Sequence, residues 1–123
     1  YINSPKLLDS YLRLKGHNQV FFAGQITGVE GYIESAACGL WAGLNLARLC
    51  REQRLVPMPV ETMLGSLINY ITDPTRTDFQ PMNANFGLLP DLDQQVRGKK
   101  ERKLAKAQRS LETVKYFAKS LNM

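Results

Sequence analysis

The sequence has 123 residues, 44% of them apolar, enough for one domain with a modest core. Sixteen Lys and Arg against eleven Asp and Glu give a net charge of +5. No stretch reads as a signal peptide, and the most apolar segment, 33–50, is interrupted by Glu34, Asn45 and Arg48, which excludes a membrane span.

In chain order, the first nine residues start extended and turn at Asn3-Ser4-Pro5. Ser4 is the expected N-cap with Pro5 in the first helical position, followed by a short helix over Lys6 to Ser10. Leu12-Arg13-Leu14 alternates like a short strand, residues 15–18 form a turn that holds the lone His17, and Val20 to Ala23 reads as a buried strand. That strand runs into a loop with Gly24, Gly28 and Gly31, and a helix follows from 33 to about 52. A strand, a glycine loop and a helix N-terminus present free backbone N–H groups and partial positive charge. Glycines let a ligand approach the backbone closely. The spacing Gly24-x3-Gly28-x2-Gly31 matches neither the dinucleotide fingerprint nor a P-loop. From spacing alone, a phosphate or ring-edge site and a tight ligand-free turn are both open.

The helix beginning at 33 is rich in small residues, with Gly39 and Gly43 on one face. Each interior glycine costs about 1 kcal/mol against alanine. That cost is tolerable where the helix lies close to another backbone or a cofactor, and tight helix packing is the plainer explanation. Cys38 and Cys50 lie on this helix, about 18 Å apart at roughly 1.5 Å per residue. They are too far apart to pair, fit no metal site, and are expected to stay reduced, as in cytoplasm.

Pro57 and Pro59 mark a stiff linker. Residues 61–72 form a second helix with Met63, Leu64, Leu67, Ile68 and Ile71 on one face, stopped by Asp73-Pro74. Residues 75–90 read as an ordered loop in which Phe79, Gln80, Asn83 and Asn85 are either ligand contacts or a structural belt. The last helix, within 91–121, carries an apolar row, Leu104, Ala107, Leu111, Val114, Ala118 and Leu121, expected to pack inward. A basic row, Lys99, Arg102, Lys106 and Arg109, is expected to face outward. Residues 97–119 hold nine cations against two acids, whereas residues 1–96 carry a net charge of −2. A basic tail on a near-neutral body points to a polyanionic partner.

The wording FFAGQITGVEGYIESAA at 21–37 resembles the FAD-contacting segment of the folate-dependent tRNA uracil-5-methyltransferases, the TrmFO branch of the GidA-like flavoproteins. YINSPKLLD at 1–9, LGSLINYIT at 64–72 and FQPMNANFGLLP at 79–90 extend the resemblance in order. The branch that modifies the tRNA wobble uridine (MnmG-like) is similar around Gly24-Gln25. It departs where this chain reads Val29-Glu30-Gly31-Tyr32.

The resemblance implies a C-terminal fragment of a longer enzyme, lacking the N-terminal nucleotide-binding unit and the catalytic cysteines. The fold class it implies is mainly α with a few short strands, an α/β flavoprotein fragment. Residues 1–56 would close an FAD-binding domain and residues 57–123 would form a C-terminal helical region. Gly24, Gln25 and Ile26 would sit at the ribityl–phosphate side of FAD. Thr27, Gly28, Val29, Glu30 and Gly31 would approach the isoalloxazine ring. The implied reaction moves a one-carbon unit from methylenetetrahydrofolate to C5 of a T-loop uridine in tRNA, with NADPH or NADH restoring reduced FAD. Lys99, Arg102, Lys106 and Arg109 would touch the tRNA. No catalytic or metal-binding residue is expected in this stretch, and Cys38 is assigned to packing. Alone, the chain is expected to be inactive and to self-associate. Wobble-uridine modification and a stand-alone basic RNA-binding module are the alternatives.

Overall fold

The structure is a computed structural model and describes residues 1–122. It is mainly helical: α1 (Ser4–Leu7), α2 (Tyr32–Cys50), α3 (Met63–Thr72) and α4 (Lys99–Ser120), with short 3-10 turns at Gln25–Thr27 and Phe86–Leu88. In place of strands, the described residues hold three isolated bridges: Leu8 with Leu14, Arg13 with Phe21, and Val29 with Met82.

The short first helix lies earlier than its sequence signals indicate. Asn3, not Ser4, is the N-cap, and Pro5 still falls in the first turn. Ser4 is buried because its hydroxyl donates to the Thr27 carbonyl at 2.7 Å, tying α1 to the glycine loop. Asp9 then turns the chain. Its carboxylate accepts from the Tyr11 and Arg13 backbone N–H groups at 3.0 and 3.1 Å and pairs with Arg13 Nε at 3.0 Å. Within this turn Leu12 is fully buried at a φ of 66°, a left-handed conformation uncommon for a non-glycine residue.

The expected buried strand over Val20 to Ala23 is not formed. The segment 12–14 pairs with it on one side through Leu14 N–H to Val20 O and Phe22 N–H to Leu12 O. Val20 is 41% exposed and Phe21 to Ala23 are half-buried. A fully buried strand needs sheet neighbours, and this one has a single short partner.

α2 buries Cys38, Trp41, Ala42 and Asn45. Asn45 clamps the following linker: its Oδ1 accepts from Val56 N–H at 2.8 Å and its Nδ2 donates to Val56 O at 3.1 Å. The opposite face is open. Ile33 is 82% exposed, Leu40 is 75% exposed, and a Cβ added at Gly39 or Gly43 would meet nothing within 4 Å. Neither close packing nor a close backbone accounts for these two glycines within the chain.

α3 follows its sequence pattern, with Leu67, Ile68 and Ile71 buried. Thr62 caps it, accepting from Gly65 N–H at 2.8 Å. A Cβ at Gly65 would run into the Pro59 carbonyl, so the linker crosses the helix where only glycine fits.

α4 meets the expectation only in part: Lys99 and Arg102 face outward and Ala107, Ala118 and Leu121 are half-buried, but the helix is rotated away from the expected orientation. Leu104 is 61% and Leu111 68% exposed, while Lys106 and Arg109 are half-buried and Ser110 is buried. Three specific contacts set this rotation. Ser110 Oγ accepts from Met63 N–H at 3.0 Å, Phe117 packs beside Trp41 with ring centroids 5.8 Å apart, and Arg109 donates to the Asp91 carbonyl at 2.9 Å. Together these hold the helix so that Leu104 and Leu111 of the apolar row stand in solvent.

The core joins Leu8, Leu12, Val29, Cys38, Trp41 and Ala42 to Leu67, Ile68, Tyr70 and Ile71, so it draws on residues from both sides of the proline linker. No helix among the described residues is long and apolar enough to cross a membrane.

Candidate functional site

The glycine loop is built by its own short-range bonds. Gly24 and Gly28, at φ 90° and 92°, bracket the turn Gln25–Thr27. Thr27 N–H and its hydroxyl both bond to the Gly24 carbonyl, at 2.9 and 2.6 Å. The loop is held from two directions. Ile2 N–H donates to Ile26 O at 2.9 Å. On the other side Met82 N–H donates to Gly28 O and Glu30 N–H to Met82 O, both at 2.9 Å. The segment 79–85 is therefore the loop's partner, and it takes the place a strand would fill.

Gly31, at φ 106°, is the N-cap of α2 and makes no side-chain cap bond. The first turn of this 19-residue helix opens beside the loop, and the Glu34 carboxylate of that turn lies over Gly31 and accepts from Ala84 N–H at 3.3 Å. Two clefts flank this point. One, of about 280 Å³, lies among Gln25, Val29, Gly31, Tyr32 and Ser35. The other, of about 460 Å³, lies among Tyr1, Gln25, Ile26, Val29, Glu30 and Pro81. Tyr32 and Ser35 were not singled out from sequence, although Ser35 lies one helical turn beyond Gly31.

The eight loop residues divide by burial. Gln25, Ile26, Glu30 and Gly31 are exposed and border the clefts. Gly24, Thr27, Gly28 and Val29 are buried. A Cβ at Gly28 would lie 2.5 Å from the Phe79 ring, so that glycine serves packing rather than ligand approach. The clefts offer an exposed amide at Gln25 and a flat exposed ring at Tyr32 beside the helix start.

The other loop candidates resolve into a belt. Phe79 sits under Gly28, the Gln80 carbonyl accepts from Tyr70 Oη at 2.9 Å, and Asn85 Nδ2 donates to Asn83 O at 3.1 Å. Cys38 is buried, and that burial, with the negative charge of Glu34, pushes its thiol up to about 11. It is an inert packing group. Cys50 is exposed and free, and no group of three metal-binding side chains occurs among the described residues.

The four cations expected to face RNA lie on the side of α4 turned toward residues 90–97. Lys99 and Arg102 are exposed, Lys106 is half-buried, and Arg109 is spent on the carbonyls of Pro90 and Asp91. Lys100 and Lys103 are exposed beside them, with Lys103 Nζ 5.9 Å from the Phe86 ring centroid.

Residues 1–54 match the family described as glucose inhibited division protein A. The chain is 55% identical over 121 residues to the methylenetetrahydrofolate–tRNA-(uracil-5-)-methyltransferase TrmFO of Halalkalibacterium halodurans, covering 98% of this chain and 28% of that protein. It is 51% identical over 121 residues to the protein of that name from Listeria monocytogenes, with the same coverage. To that from Moorella thermoacetica it is 56% identical over 113 residues, covering 91% of this chain and 26% of the relative. The chain thus spans just over a quarter of the length of the curated relatives it matches.

Proposed function

We propose that this chain is part of a folate-dependent tRNA uracil-5-methyltransferase of the TrmFO branch of the glucose inhibited division protein A family, and that residues 24–31 form one wall of its FAD site. One observation carries this reading: the glycine loop runs directly into the start of α2 and leaves an open cleft between Gln25, Gly31, Tyr32 and Ser35. When bound, the flavin supplies the electrons that turn the folate's one-carbon unit into a methyl group, and NADPH or NADH restores it. This chain's contribution is to position and polarise. Gln25 offers a neutral amide to the ribityl hydroxyls or phosphate. The first turn of α2 directs partial positive charge toward the cleft, which favours an anionic ring edge. Phe79 and the segment around Met82 hold the loop rigid from below. Of the other site residues, Ile26 and Glu30 line the outer cleft, and buried Thr27 keeps the turn closed through its hydroxyl bond to the Gly24 carbonyl.

The basic start of α4 is the proposed contact for tRNA, through the exposed Lys99 and Arg102 with Lys106 at the edge. Arg109 holds the 90–91 backbone against the helix and so shapes that surface from beneath.

The test is Gln25→Leu in the complete natural polypeptide. The Gln25 side chain makes no hydrogen bond among the described residues, so the change should leave thermal unfolding unaltered. A drop of about ten-fold in FAD affinity is expected, from one lost ligand hydrogen bond. Wild-type flavin content and affinity in the variant would overturn the placement of the site.

A further inference from the structure

A second cleft lies on the far side of the aromatic pair that backs the glycine loop. It has a volume of about 530 Å³ and is lined by Asn3, Lys6, Arg76, Thr77 and the rings of Tyr1 and Phe79, with no carboxylate among its lining residues. Its chemistry is cationic and hydrogen-bonding. Arg76 is ordered in an unusual way for a half-buried cation. Its guanidinium lies over the Tyr70 ring at 3.9 Å, and Tyr70 is itself fixed by its bond to the Gln80 carbonyl. Arg76 makes no ion pair among the described residues, and its Nε is buried with no hydrogen-bond partner. Asp73, an acid on the same loop, makes its hydrogen bonds elsewhere: its carboxylate accepts from Thr75 N–H at 3.0 Å and Thr75 Oγ1 at 2.6 Å, and it feels Arg76 only as a nearby charge. A stacked guanidinium presents its N–H groups in the ring plane, the geometry that grips two oxygens of one anion.

We infer that this cleft, with Arg76 and Lys6 as its cationic pair, binds an oxyanion of a substrate, either a backbone phosphate of the RNA or a carboxylate of the folate's glutamate tail. The cleft adjoins the flavin wall. Tyr1 borders both this cleft and the outer one at Gln25, and Phe79 both lines it and packs under Gly28. A substrate anchored here lies one aromatic ring from the loop. In naming a substrate of that reaction the inference rests on the proposed function.

The experiment uses the complete natural polypeptide, as wild type, as Lys6→Gln/Arg76→Gln and as Arg76→Lys. Equilibrium binding is measured to a T-arm RNA hairpin and to tetrahydrofolate bearing one or three glutamates, with flavin content recorded alongside. The double variant should bind one of the two ligands about ten-fold more weakly at unchanged flavin content, the loss expected for a charge-assisted fork. Arg76→Lys should recover only part of it. A loss on the hairpin assigns a phosphate; a loss that grows with glutamate number assigns a carboxylate. Affinity for both ligands within two-fold of wild type overturns the inference. Should the double variant fail to fold, Lys6→Gln answers alone, because Lys6 is exposed and bears no structural contact. A flavin-free wild-type protein would instead overturn the proposed function, and the binding constants would still report on the cleft.

Discussion

Two adjacent sites in the loop show how single residues divide between fold and function. Gly28 and Gln25 are three residues apart, yet one is sealed under Phe79 and the other stands in solvent. Gly28 sits at φ 92°, where an L side chain is strained, and its would-be Cβ meets the Phe79 ring rather than open space. Gly28→Ala is therefore expected to destabilise the protein by about 1–3 kcal/mol, combining backbone strain with overpacking. Chemical denaturation of the variant checks this; an unchanged midpoint would mean that Phe79 yields freely. The glycine spacing showed that the loop was special, but not which glycine faces a ligand. That distinction depends on Phe79, which is 51 residues away in sequence.

At the scale of an element, α4 is the instructive case. Its apolar row has the helical period, and by amphipathicity alone it belongs in a core. Periodicity identifies a face but not what that face meets. Here Ser110, Arg109 and Phe117 each find a specific partner on the other side, at Met63, Asp91 and Trp41. Two neighbouring substitutions separate the two orientations. Leu111→Gln, at a 68% exposed position, is expected to change the stability of this chain by less than about 0.5 kcal/mol. Ser110→Ala, which strands the Met63 N–H at the start of α3, is expected to cost about 1–2 kcal/mol. Thermal unfolding of the two variants decides between them; the reverse order of costs would show that the apolar row packs inward after all.

The whole molecule leaves two apolar helix faces open, Ile33 with Leu40 on α2 and Leu104 with Leu111 on α4. Exposed apolar surface of this extent is characteristic of interaction sites or aggregation. The proposed flavin wall is likewise one-sided, consisting of clefts open to solvent along a single loop. The 123-residue chain purified alone is therefore expected to self-associate and to lack micromolar FAD binding and methyl transfer to tRNA. Ile33→Lys/Leu40→Lys is expected to reduce the association. Sedimentation velocity and a flavin titration check both parts: a monomeric chain, or tight FAD binding, would be the contrary result.

What the sequence determined by itself is the set of local features. The helices at 32–50 and 63–72 follow from periodicity and stop signals, to within a few residues at each end, whereas the last helix, read over 91–121, begins only at Lys99, just after Gly98. The loop at 24–31 follows from its glycines, three of which do adopt positive φ. These are properties of short stretches, set by backbone sterics and by hydrogen bonds within a turn or two. The tertiary structure decided everything that depends on a distant partner. The segment at 20–23 became an edge with one short bridging neighbour instead of a buried strand, because strand formation depends on pairing that lies outside the segment itself. Arg109 became a staple because the 90–91 carbonyls lay within its reach. Arg76, held over Tyr70 of the preceding helix, became the cationic wall of a cleft because Lys6, seventy residues earlier in the chain, lines the same cleft. In each case the residue type was visible in the chain, and its role was set by which long-range contact satisfied its polar groups or covered its apolar surface.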